Sequence, residues 1–237
     1  MRFKLLSQMD ATETTPSTSE DLNLQTRQRL LEAAGQVFAE QGYKKATVRD
    51  ICRLAGANVA AINYHFGDKA RLYSETFRHV IGEAMTKYPP NLGVSESDPA
   101  DKKLHAFIRS FLFRILDTGR HAWFGKLISR EMVEPTHALE ERVNENIRPM
   151  AELLQAIIRE LLGPVAAGNP DDVRRCATSV IGQIVFYHHC RPVLHKVFTD
   201  LKCTPDAIES LARHITEFSL AGIRGIRARA AQQREGV

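Results

Sequence analysis

Four cysteines in 237 residues, at positions 52, 176, 190 and 203, show neither CxxC spacing nor the crowding of a disulfide framework. That scarcity predicts reduced thiols in a cytoplasmic protein. Long apolar runs are missing as well. Nothing approaches the roughly 18 uninterrupted apolar residues that a membrane span needs. The first residues carry Arg2 and Lys4 but only the pair Leu5-Leu6 where a signal peptide has an apolar core. The expectation is a protein that is neither exported nor partnered with a membrane. No Gly-rich phosphate loop, HExxH, GxSxG or tight carboxylate constellation occurs. No enzymatic activity, cofactor or metal is therefore expected. Period-two alternation and internal repeats are also lacking, which disfavours sheets and solenoids.

What the chain does have is an ordinary globular balance, 43% hydrophobic and 25% charged, enough to build a core. Its net charge of +4 is small but uneven. Between Leu22 and Arg78 nine lysines and arginines face five acids, so a quarter of the chain holds the whole excess. A polyanionic partner would suit that region.

Residues 10–21, DATETTPSTSED, are too polar to offset the entropy of ordering, and residues 1–21 are expected to form a disordered tail. Helical periodicity starts at Leu22: Leu30, Leu31, Ala34, Val37 and Phe38 recur at three- and four-residue spacing up to Gly42. Thr47 with Asp50 three residues later makes a near capping box for a second helix that stops at Gly56. Asn58 can cap a third, with Val59, Ile62 and Phe66 turned inward, and Asp68 a fourth running to about Lys87. Pro89-Pro90 and the loop to Pro99 then separate this part from a helical array. The array includes a stripe from Leu104 to Leu116, another from Ile147 to Leu162 broken at Gly163-Pro164, and two later ones, Val173 to Val185 and Ile208 to Ile226. The predicted fold is all-α, with a helix-turn-helix domain at 22–68 and a linking helix leading into a larger domain at 69–237.

Two helices joined by a tight glycine turn have the proportions of a DNA-reading helix-turn-helix, whose second helix enters the major groove. With Val59, Ile62 and Phe66 inside, Ala60, Ala61, Asn63, Tyr64 and His65 point outward. Small alanines let a backbone approach base edges, and an asparagine can pair with adenine. Thr47, Arg49, Tyr64 and Lys69 are suited to phosphate. The plain alternative is an ordinary helical bundle whose cations are merely solvated.

The run ATVRDICRLAGANVAAINYHFGDKARLYSETF, Ala46 to Phe77, resembles the DNA-binding signature of the TetR family. INYHFGDK and ISREMVEPT, Ile128 to Thr136, are similar to the subgroup with a CerR-type C-terminal domain. The resemblance implies a homodimer on a palindromic double-stranded DNA operator, repression, and a small-molecule effector of unknown identity bound in the C-terminal domain. It places phosphate contacts on Thr47, Tyr64 and Lys69 and base reading on Arg49, Ala60, Ala61 and Asn63. Ala60 stands where the family commonly has glycine and Asn63 where it often has an aromatic, so the operator sequence does not transfer.

Candidate effector contacts are Phe107, Phe111, Trp123, Arg130, Glu131 and Tyr187, the charged pair because it falls within the apolar surroundings of Leu127, Ile128 and Met132. Core packing for the aromatics and a structural ion pair for the charges are the competing readings. His188, His189, Cys190 and His195 lack the spacing of a zinc site. A C-terminal domain serving only as a protein-interaction or constitutive dimerisation module is the alternative to a ligand-responsive one.

Overall fold

The computed structural model describes residues 19–116 and 123–235, and every regular element among them is helical, as the sequence predicts. Four helices make the N-terminal part: α1 (Ser19–Lys45), α2 (Val48–Ala55), α3 (Val59–Phe66) and α4 (Lys69–Lys87). The rest comprises α5 (Ala100–Leu116), α6 (Trp123–Val133), α7 (His137–Arg142), α8 (Arg148–Ala167), α9 (Pro170–His189), α10 (Arg191–Val197) and α11 (Pro205–Glu235). A π-helical segment, Val143–Ile147, joins α7 to α8. Residues 1–18 of the expected tail lie outside the described residues, while 19–21 belong to the first turn of α1.

Short helices need their free backbone donors satisfied, and here a side chain does so at each start. Thr47 accepts from the Asp50 N–H, Asn58 from Ala61 and Asp68 from Arg71. Gly56 ends α2 at φ 61°, in the left-handed region that disfavours L side chains, and so makes the tight turn into α3 possible. Above the caps lies the core of this part. Leu30, Leu31, Ala34, Val37 and Phe38 of α1 are at most 5% exposed and pack with Ile51, Ile62, Phe66, Leu72 and Phe77. Each such large side chain contributes about 1.5–3 kcal/mol by leaving water.

Helices α5, α8, α9 and α11 form the larger bundle around Leu104, Ile108, Leu112, Leu154, Ile158, Val180, Ile184, Ala212 and Ile215, all essentially buried. Polar ties cross it. Arg109 Nε donates to Glu209 at 2.6 Å, Lys103 pairs with Glu160 at 3.0 Å, and Gln183 donates to Ser219 at 3.1 Å. The chain kinks at Gly42 and Gly163, both with positive φ, and each kink is followed by one further turn of helix. Helices α7 and α10 span only 6 and 7 residues, too few for a period to show. Helix α6 is wedged against both α1 and α4, so its buried face follows two partners rather than one stripe.

Candidate nucleic-acid interface and its coupling

The third helix hangs from Ile62 at 0% and Phe66 at 5% exposure, which fixes which of its faces looks outward. Arg27 strengthens the mount: its guanidinium lies 5.3 Å from the Phe66 ring centre and pairs with Glu75 at 3.0 Å, joining α1, α3 and α4. Ala60, Asn63 and Tyr64 stand exposed, Tyr64 at 74%. A tyrosine so bare contributes little to folding. Its hydroxyl accepts a 3.4 Å hydrogen bond from Asn23 on α1.

Three positions differ from the sequence expectation. Val59, expected inside, is 44% exposed, because it opens α3 and projects beyond the elements that cover Ile62. Ala61, expected on the bare face, is half-buried against the core, since it flanks Ile62 on the side opposite Asn63. His65 is also half-buried; burial and the nearby Arg27 charge push its pKa down, which favours the neutral ring.

Around α3 stand the polar candidates. Arg49 is exposed at the start of α2. The Thr47 hydroxyl already donates to Asp50 at 2.6 Å while capping α2, and Asp50 accepts from Arg53 at 2.7 Å. Lys69 at the start of α4 rests its ammonium 4.7 Å from the Tyr43 ring centre, where burial lowers its pKa. Thr47→Ala is expected to cost about 1 kcal/mol by removing the cap. Thermal denaturation should show Tm lower by roughly 2–4 °C and restored by Thr47→Ser; a Tm equal to wild type would mean the cap is idle.

The charged pair on α6 does something sequence spacing did not foresee. Neighbours on a helix point about 100° apart, so Arg130 and Glu131 serve different partners. Arg130 donates from Nε to the Ala39 carbonyl at 2.9 Å and from Nη2 to the Glu40 carbonyl, at the point where α1 kinks at Gly42. A cation suits the carbonyl end of a helix. Glu131, 1% exposed, accepts from the Tyr73 hydroxyl of α4 at 2.6 Å and from the Thr136 N–H at 2.9 Å. The Tyr73 hydroxyl titrates well above the usual phenol range, first through burial and then through that bond. Trp123 completes the seam. Its ring sits so close to Gly35 of α1 that a Cβ there would lie 2.7 Å away.

These three residues therefore join the two parts of the molecule. Phe107 is 1% exposed in the core, with Phe111 edge-on to it at 6.3 Å. Tyr187 lines a separate open cleft of about 620 Å³ with Leu116, Arg191, Lys202 and His214. Among the described residues the six effector candidates do not converge on one cavity. Sequence reasoning missed Tyr73 and Thr136, whose only signal was the need of a buried carboxylate for donors. No group of three or more metal-ligating side chains occurs among the described residues. His188 packs on Gly125, within 3.0 Å of its carbonyl and 2.9 Å of the Ser129 hydroxyl.

Residues 30–76 match the family model of bacterial regulatory proteins of the tetR family. Residues 100–223 match the C-terminal domain of the HTH-type transcriptional dual regulator CecR, which identifies the C-terminal type expected from ISREMVEPT. The HTH-type transcriptional repressor NicS of Pseudomonas putida is 24% identical over 84% of this chain and 92% of its own. CecR of Shigella flexneri is 30% identical over 59% of this chain and 66% of its own. Among solved structures, the fatty acid degradation regulator FadR of Bacillus halodurans shares the fold with a TM-score of 0.59 at 18% identity, covering 82% of this chain and 98% of that one. A transcriptional regulator of Saccharomonospora viridis in complex with choline has a TM-score of 0.60 at 18% identity over 82% of this chain and 95% of its own. The chain belongs to the TetR family of DNA-binding transcriptional regulators, with a C-terminal domain of the CecR type.

Proposed function

We propose that this regulator is a cytoplasmic homodimeric repressor that binds a palindromic operator through two copies of α3 and is released by a small molecule held in its C-terminal domain. The bare outward face of α3, with Asn63 and Tyr64 projecting from a helix anchored by Ile62 and Phe66, is the observation that carries the reading. Asn63 would read a base edge, while Thr47, Arg49, Tyr64 and Lys69 would ring it for phosphate.

A surface suited to a second copy supports dimerisation. Phe186 on α9 and Phe218 on α11 are 50% and 65% exposed, and Gly182, Gly222 and Gly225 face open space on the same two helices. Aromatics beside bare glycines let helices of another protomer pack closely. NicS, a relative named as a repressor, supports the sign of regulation. The neighbour solved with choline supports a small-molecule ligand. No helix among the described residues is long and apolar enough to cross a membrane.

Selecting bound duplexes from a random DNA pool tests the reading directly. Enriched sequences should contain two inverted half-sites centred about one helical turn apart, roughly 34–36 Å. Enrichment of a single asymmetric site, or of nothing, would overturn it.

A further inference from the structure

Helix α6 holds α1 and α4 on one side, through Arg130 to the Ala39 and Glu40 carbonyls, Glu131 to Tyr73, and Trp123 against Gly35. On another side it meets α9, and there His188 makes a polar tie. Its Nε2 lies 3.0 Å from the Gly125 carbonyl and 2.9 Å from the Ser129 hydroxyl, one turn further along α6. A carbonyl can only accept, so the ring carries a hydrogen on Nε2 and donates it to α6. Burial is the main influence on the His188 pKa and lowers it, which favours the neutral ring.

Gly125 makes this approach possible. A Cβ there would lie 2.6 Å from His188 Cε1 and 2.7 Å from the Ile115 carbonyl oxygen of α5. The second neighbour is backbone and cannot swing aside, so α5, α6 and α9 meet at a point where one added methyl must displace a helix.

Helix α9 also carries Phe186, 50% exposed on the face offered to a second copy. Residues two apart on a helix point about 200° apart, so α9 turns Phe186 outward and His188 toward α6. Direct contacts therefore run from the outward face of α9 through His188 to α6, and from α6 through Tyr73 to α4, which packs on α3. Helix α4 has 19 residues and is about 28 Å long, so a tilt of about 7° moves one end by about 3.4 Å, one base-pair step.

We propose that His188 is a positioning residue for operator binding: together with Gly125 it fixes the seat of α6 on α9, and thereby the separation of the two recognition helices and the half-site spacing that the dimer accepts, a proposal that rests on the homodimer reading above.

The test uses the full chain and a series of duplexes carrying the selected half-sites, with the spacer lengthened or shortened by one and two base pairs. Fluorescence anisotropy gives the affinity for each duplex, while Tm and sedimentation are measured in parallel. Wild type should bind one spacing at least about ten-fold better than its neighbours. His188→Leu keeps a side chain of similar size but donates no hydrogen bond. It should bind the best duplex about ten-fold more weakly and flatten the preference, while still sedimenting as a dimer. His188→Gln retains an N–H donor and should recover most of both. Gly125→Ala pushes α6 off its seat with His188 intact, and should flatten or move the optimum as well.

A spacing profile unchanged in both His188→Leu and Gly125→Ala, whatever their Tm, would overturn the proposal and leave the dimer reading standing. Should His188→Leu not fold, the other two variants decide: Gln must follow wild type and Gly125→Ala must depart from it. Equal loss in the Leu and Gln variants would overturn the role of the donated hydrogen bond. Wild-type protein without a preferred spacing, or sedimenting as a monomer, would overturn the dimer reading and this proposal with it.

Discussion

Ala60→Glu is expected to weaken binding to the selected operator duplex by at least about a hundred-fold while leaving Tm unchanged. Folding should tolerate it because Ala60 is exposed and lies in the first turn of α3, where a carboxylate suits the helix dipole. DNA should not. The new side chain would enter a groove lined by acceptor atoms and flanked by phosphates, and desolvating an unpaired charge against like potential costs about 3 kcal/mol or more. A hundred-fold loss corresponds to about 2.7 kcal/mol, so even one protomer's penalty suffices, and a dimer suffers it twice. Asn63→Ala, which removes a base contact without adding a charge, should lose less, roughly 1–3 kcal/mol per copy. Fluorescence anisotropy with a labelled duplex measures both. An Ala60→Glu protein that binds as tightly as wild type would remove α3 from the interface.

Glu131→Ala should produce the largest loss of stability of any single change at the seam between the two parts. Truncation leaves the Tyr73 hydroxyl and the Thr136 N–H without their shared acceptor and opens a void where the side chain is 1% exposed. Unsatisfied buried donors cost about 1–3 kcal/mol each. For a chain of this size that predicts a fall in Tm of roughly 5–12 °C. Tyr73→Phe removes one of the bonds and should cost about 1 kcal/mol. Operator affinity measured well below Tm should also fall, by about ten-fold, because α4 is no longer held at a single angle to α6. Arg130→Ala should be milder on stability, since the carbonyls it releases at Ala39 and Glu40 can turn to water. A Glu131→Ala protein with wild-type Tm would show that the bond network does not hold the two parts together.

The N-terminal helices were legible because their determinants are local. Thr47, Asn58 and Asp68 each bond an N–H within three residues, and Gly56 supplies the turn conformation by itself. Where legibility failed, a helix end or a distant partner was involved. Val59 carries the right period for burial, but nothing covers the first residue of α3. The apolar surroundings of Arg130 and Glu131 in the sequence point to a structural ion pair or a ligand contact. Their true partners are 91 and 58 residues away, on α1 and α4.

The amino-acid order alone determined that this protein is helical, where α3 starts and stops, and which family signature it carries, because caps, turn glycines and apolar spacing act over a single turn of chain. Only the tertiary structure decided how α1 and α4 are fastened to α6, through Arg130, Glu131 and Trp123. Those outcomes depend on pairs of groups far apart along the chain, and a periodic pattern specifies the face a side chain occupies without specifying what meets it there.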